Sequence, residues 1–225
     1  MKLRRLVVGV DKLLRDTATA QRYAESGVAE NAGGIPWPWN IPEGEWTWER
    51  YCQLPEDGNR YEVIGGSLHM SPSPGRKHQR ISLKLSVKLG LWTEETKSGE
   101  VYAAPFNVIL SFLPPRQHYL EPDLFFVSND RLSIITEDNV QGPRDLVIEI
   151  LSKHTTRNDW VDKRTAYEAG GVAHYWAIDP DKKVLTAFRL EEGKYRQAGR
   201  HEGDATFSPE GFPGLEINLG EFWGD

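Results

Sequence analysis

A single cysteine, Cys52, stands in 225 residues, which excludes an internal disulfide and any cysteine-based metal cluster. Such usage suits a reducing cytoplasm. Long apolar runs are also missing: none approaches the roughly 20 residues that a membrane helix needs. The opening Met1-Lys-Leu-Arg-Arg-Leu-Val-Val-Gly-Val-Asp11 starts basic and turns apolar, but Asp11 and Lys12 cut it short of a signal-peptide core. A cytoplasmic protein with no membrane partner is therefore expected. The third absence is positive charge, since 27 Lys and Arg against 33 Asp and Glu leave a net charge of -6. A strongly basic chain would announce nucleic acid. This one admits it only through local patches. No internal repeat or low-complexity segment is visible.

What is present is an ordinary globular composition, with 39% hydrophobic and 27% charged residues, on a chain long enough to bury a core without staples. Residues 1–45 read as an N-terminal appendage that ends in a Pro/Trp-rich linker, and 46–225 as one domain. Thr47 caps a short helix containing Arg50 and Tyr51, which stops near Pro55. Asp57-Gly58 is a turn, and Tyr61 to Ile64 with Ser67 to Met70 form a hairpin around Gly65-Gly66.

Residues 77–92 carry two signals. Ile81, Leu83, Leu85, Val87, Leu89 and Leu91 alternate with polar residues as in a strand, yet Ile81, Leu85 and Leu89 also fall at helical spacing. Sixteen residues without a turn signal is long for a strand, so a helix is predicted. Three apolar runs follow, Phe106 to Phe112, Asp123 to Val127 and Leu146 to Leu151, and read as strands of one sheet. A helix over 158–169, halted by Gly170-Gly171, precedes strands at Ala173 to Ile178, Val184 to Arg189 and Tyr195 to Ala198. The central order is helix, three strands, helix, strand.

Two carboxylates stand out by position. Asp123 opens an apolar strand after Pro122, and Glu149 sits among aliphatic residues in Leu-Val-Ile-Glu-Ile-Leu. A buried unpaired carboxylate is costly, so it is paired, protonated or bound to metal. Neighbouring strands carrying such a pair suit a hard cation such as Mg²⁺, which takes oxygen ligands. The plainer alternatives are a buried ion pair for Glu149 and a turn role for Asp123. Further on, Asp159, Lys163 and Tyr167 share one helix face. A solvated Asp–Lys pair there would contribute only about 0.3–0.5 kcal/mol.

The string Asp145-Leu-Val-Ile-Glu-Ile-Leu-Ser152, then Thr155, Asp159, Lys163, Tyr167 and Gly171-Val-Ala-His-Tyr-Trp176 before Asp179-Pro180, resembles the core of the Uma-type bacterial restriction-endonuclease family in the PD-(D/E)XK superfamily. Upstream, Arg60-Tyr-Glu-Val-Ile-Gly-Gly66, His78 and Glu121-Pro-Asp-Leu124 fall in the matching order. The likeness spans about residues 46–223. It implies a mixed α+β and α/β fold, with a restriction-endonuclease-like α-β-β-β-α-β core, an N-terminal hairpin and extra C-terminal strands. It implies metal ligands at Asp123 and Glu149, with Glu62 as a further carboxylate and His78 near the same cleft. The superfamily's lysine stands two residues after the Glu, where this chain has Leu151. Lys163 is the implied replacement and Lys153 its rival. Gly65 and Ser67, acidic in many relatives, are further departures. The implied activity is Mg²⁺-dependent (or Mn²⁺-dependent) endonucleolytic hydrolysis of DNA, by a chain that pairs as a homodimer.

Phosphate contacts would come from Arg76, Lys77, Arg80, Lys84 and Lys88, and from Lys153, Arg157 and Arg164. Trp37, Trp39, Trp46 and Trp48 read as a flap packed on the domain, or as a stacking surface. Three other readings stay open: a non-catalytic nucleic-acid-binding or assembly protein on the same fold, a metal-dependent hydrolase of small phosphoesters, and a scaffold with a buried ion pair.

Overall fold

The computed structural model describes residues 40–111, 116–152 and 157–224, with the side chains of 157–159 left aside. The chain divides into Met1–Pro42 and Glu43–Asp225. Trp37, Trp39 and Lys153 lie outside the described residues, as do the side chains of Arg157 and Asp159.

The larger unit opens with α1 (Trp48–Tyr51), where the Arg50 N–H donates to the Thr47 hydroxyl at 3.3 Å. Trp46 is fully buried and Trp48 stacks on Tyr51 at 5.3 Å, as a packed flap requires. The hairpin β1 (Arg60–Ile64) and β2 (Ser67–Ser71) turns on Gly65 and Gly66, whose φ values of 59° and 81° favour glycine. Pro72 and Pro74 precede α2 (Arg76–Thr96), which buries Ile81, Leu85, Leu89 and Trp92 on one stripe.

Two sheets follow. The larger has the order β11-β10-β9-β8-β6-β3, from β3 (Gly99–Ala103), β6 (Leu124–Ser128), β8 (Leu146–Ile150), β9 (His174–Asp179), β10 (Val184–Glu191) and β11 (Lys194–Glu202). Strands β8 and β9 are parallel and joined through α3 (Arg157–Ala169), and the other neighbours are antiparallel. The smaller sheet runs β2-β1-β5-β4-β7, with β4 (Asn107–Ser111), β5 (His118–Leu120) and β7 (Asn139–Gln141). The short pair β12 (Thr206–Phe207) and β13 (Ile217–Asn218) and the turn of helix α4 (Gly220–Trp223) finish the chain. No helix among the described residues is long and apolar enough to cross a membrane.

Strand alternation sorts the core into two layers. Leu124, Phe126, Leu146, Ile148, Ile150, Trp176 and Ile178 meet α2 on one face of the large sheet. Phe125, Val127, Val147, Tyr175 and Ala177 meet Ala166 and Tyr167 of α3 on the other, along with Ile64, Val108, Leu120 and Val140 from the smaller sheet.

One expectation is corrected. The apolar runs near 106–112, 123–127 and 146–151 do not share a sheet, because β4 belongs to the smaller one. The strand beside β6 is β3, Gly-Glu-Val-Tyr-Ala, which carries little apolar signal because it is an edge strand and only half-buried. Gly99 opens it because a Cβ there would lie 2.1 Å from the Val127 carbonyl oxygen.

Candidate active site

Parity and register bring the two carboxylates together. Asp123, one residue before β6, shares the parity of Phe125 and Val127, and Glu149 shares that of Val147, so both face α3. The register that pairs Leu124 with Ile148 sets them at adjoining positions, and the Ile150 N–H donates to Asp123 Oδ2 at 2.7 Å. Glu62 comes from β1 in the smaller sheet, where its Oε1 accepts the Glu121 N–H at 2.9 Å.

Basic side chains from three elements close the cluster. Lys163 of α3 donates to both oxygens of Glu149 at 3.0 Å and lies 2.8 Å from Glu62 Oε1, so one ammonium bridges carboxylates of the two sheets. One turn later the Tyr167 hydroxyl donates to Glu149 Oε1 at 2.6 Å. Arg60 donates through Nη1 to Asp123 Oδ1 at 2.8 Å and sets Nε 2.8 Å from Glu121 Oε1. His78, in the first turn of α2, places Nε2 3.0 Å from Asp123 Oδ2. Arg60, Glu62, His78, Asp123, Glu149 and Lys163 line one pocket together with Pro72 to Gly75, Leu151 and Trp160, while Tyr167 and Glu121 support it from behind the wall.

The two carboxylates are tuned in opposite senses. Burial alone would raise the Asp123 carboxyl, but the His78 hydrogen bond and the charges of Arg60, His78 and Lys163 outweigh it and hold it at about 2. Burial also dominates at Glu149, where Lys163 and the Tyr167 hydrogen bond oppose it while Asp123 and Glu62 add to it; the net is a carboxyl pushed up to about 7. Burial works against the Lys163 ammonium, yet Glu149, Glu62 and Asp123 raise it above the ordinary lysine range. The surrounding carboxylates thus favour the charged form of Lys163.

The donor set fits a hard divalent cation in kind. Four carboxylates, Glu62, Glu121, Asp123 and Glu149, meet two permanent cations, Arg60 and Lys163, so negative charge is in excess when all are ionised. His78 Nδ1 is buried with no partner among the described residues, an unsatisfied atom beside the cluster. The arrangement is nonetheless closed by internal cations. Among the described residues no three His, Cys, Asp or Glu side chains converge as a ready metal-binding group.

All five residues singled out in the sequence, Glu62, His78, Asp123, Glu149 and Lys163, line this one pocket. Gly65 does not line it, so the departure at that position leaves the pocket wall intact. Arg60 and Tyr167 are site residues that sequence reasoning left without a role. The signals were available: Arg60 shares strand parity with Glu62, and Tyr167 follows Lys163 by one helical turn. Of the basic groups, Lys77 pairs with Asp181 at 2.7 Å, and Arg164 lies over the rings of Trp160 and Phe188 at 4.7 and 5.3 Å.

Mixed sheets flanked by few helices are consistent with a restriction-endonuclease-like fold, and a solved nuclease-like structure is similar in fold. A solved structure described as a putative nuclease belonging to DUF820, from Anabaena variabilis, superposes with a TM-score of 0.64 at 18% identity, covering 79% of this chain and 97% of that one. The chain belongs to the Uma2 family, described as "Putative restriction endonuclease", whose model matches residues 48–220. Comparison with curated proteins finds no match.

Proposed function

We propose that this protein is a Mg²⁺-dependent endonuclease that hydrolyses phosphodiester bonds in DNA. The observation that carries the reading is the pair Asp123 and Glu149, buried at adjoining positions of β6 and β8 and facing Lys163 and Glu62 across one pocket. Asp123 and Glu149, with Glu62, would hold the cation. When bound, it supplies activation of water and stabilisation of phosphoryl charge.

The chain's own groups divide the remaining work. Asp123 is anchored at three points, by Arg60, His78 and the Ile150 N–H, so its carboxylate is pre-positioned. Lys163 holds a permanent positive charge against Glu149 and Glu62 and can turn it toward the negative charge that develops on a phosphoryl oxygen. Tyr167 fixes the Glu149 carboxylate from the buried side. Exposed Arg76 and Lys77 begin the helix that borders the pocket, where they can meet phosphate. Trp160, at the rim under Arg164, offers a flat face to a base. The single exposed cysteine, Cys52, accords with a reducing cytoplasm.

The test is Mg²⁺ and Mn²⁺ calorimetry on the wild type, Asp123→Ala and Glu149→Ala, with nicking of supercoiled plasmid on the same samples. Metal binding and nicking in the wild type, both lost in each variant, are expected. A second reading is favoured by the acceptor atoms already taken up by Arg60, His78, Lys163 and Tyr167: a non-catalytic nucleic-acid-binding protein on this fold. DNA binding without metal binding or nicking would select it.

A further inference from the structure

The double signal over 77–92 has a physical origin. Ile81, Leu85 and Leu89 are buried against the large sheet. Leu83, Val87 and Leu91, at the same four-residue spacing on the far side of α2, are 67%, 55% and 54% exposed. Among the described residues these three are the exposed large hydrophobic side chains. The helix therefore carries two apolar stripes, one of which is exposed and uncovered by the described residues.

The charges around the bare stripe specify what fits. At 100° per residue, half-buried Arg80, whose guanidinium lies against Gly224, and exposed Glu94 extend the same face beyond its two ends. Counted from Val87, the series Arg80, Leu83, Val87, Leu91, Glu94 is symmetric in spacing and opposite in charge. Most of the helix agrees, with Arg76, Lys77 and Lys84 before Val87 and Glu94 and Glu95 after it, Lys88 being the exception. A parallel partner would set like charges together, whereas an antiparallel copy sets unlike charges together.

Gly90 is an independent sign. A glycine inside a helix costs about 1 kcal/mol relative to alanine. Among the described residues nothing outside its own helix backbone lies within 4 Å of where its Cβ would be, so internal packing does not require it. On the helix surface it flanks the Val87–Leu91 pair, where a bare backbone lets a second helix approach closely.

We infer that α2 is a self-complementary interface, on which a second copy of this chain packs antiparallel about a two-fold axis at Val87. Val87 then meets its own equivalent, Leu83 meets Leu91, and Arg80 lies beside Glu94, the isologous arrangement of a two-fold dimer. One helix face is smaller than the about 800 Å² per partner of a standard interface, so the association is on the order of micromolar.

Sedimentation velocity on the full chain over a range of concentrations tests this. A monomer–dimer equilibrium is expected, with the dissociation constant raised about 100-fold by Leu83→Glu, as fits two lost apolar contacts. Circular dichroism checks that this exposed variant folds. In a Cys52→Ser background, oxidation should cross-link Val87→Cys to itself, and Leu83→Cys to Leu91→Cys in a mixture. Three results overturn the inference: a monomer at every concentration, a dimer indifferent to Leu83→Glu, or a monomer that instead pellets with anionic vesicles through this face.

Discussion

Asp123 and Glu149 sit at adjoining positions of neighbouring strands, and their surroundings differ in kind. The Asp123 end is a structural anchor. Arg60, His78 and a backbone N–H each take a lone pair, and the carboxyl is held well below its usual range. The Glu149 end is a strained balance, in which one ammonium serves two carboxylates and burial pushes the acid up to about 7. Equal burial thus gives opposite behaviour, because the number of fixed partners decides whether a buried charge is stabilised. An anchored carboxylate beside a tunable one is the asymmetry that the proposed cation site would use.

The strongest way to break that comparison is removal of the anchor. Asp123→Ala strands His78 and the Ile150 N–H and leaves Arg60 with Glu121 alone, and should cost about 3–5 kcal/mol in urea denaturation. Glu149→Gln keeps the shape and should cost far less; equal losses would mean that both carboxylates are structural. Lys163→Met, which leaves Glu62 and Glu149 facing each other, should cost roughly 2–3 kcal/mol, because Glu149 can relieve the strain by taking up a proton.

Acidity sharpens the contrast. The Glu149 carboxyl is raised from 4.5 to about 7, so its stabilising contribution is complete below the lower value and is lost as pH rises through the upper one. Asp123 is lowered from 3.8 to about 2, so its contribution is present above the former and is lost as pH falls toward the latter. Thermal melts in chelator should therefore fall in midpoint from about pH 5 to about pH 7.5, and Glu149→Gln should flatten that slope. A slope unchanged in Glu149→Gln would assign it to another group.

The smallest effect concerns a different buried cation. Arg144 is fully buried, donates through Nη2 to the Val140 carbonyl at 2.9 Å, and has Nε and Nη1 without partners among the described residues. Burial, helped by Arg131 and opposed by Tyr167, pushes its guanidinium down to about 9. Arg144→Met should be neutral or stabilise by about 1 kcal/mol in the same denaturation assay, the reverse of Lys163→Met. A large loss would reveal a carboxylate-free site that still rewards a cation.

Much of this was legible in the sequence, for reasons that differ by element. The hairpin was marked by paired glycines, α3 by its glycine stop, and Asp123 and Glu149 by the anomaly of acid within apolar strands. Strand β3 was not legible because an edge strand needs few apolar residues. Arg60 hid because a lone arginine in a strand looks like surface until its partners are known. The pairing of Lys163 with Glu62 crosses two sheets, and no spacing rule within one segment encodes it. The alternation over 77–92 was misleading as a strand signal and accurate as a sign of a second apolar stripe.

The placement of Lys163 has a consequence for folding order. A lysine two residues past Glu149 would arrive with the strand itself. Here the ammonium rides on α3, so β6 and β8 can pair before any cation faces Glu149. Lys163 meets Glu149 only 14 residues away, but its pairing with Glu62 of the other sheet closes a far longer loop, so the pocket is expected to be completed only when the two sheets meet. A chain caught part-folded, on the ribosome or after partial melting, would carry both carboxylates without the lysine that bridges the two sheets.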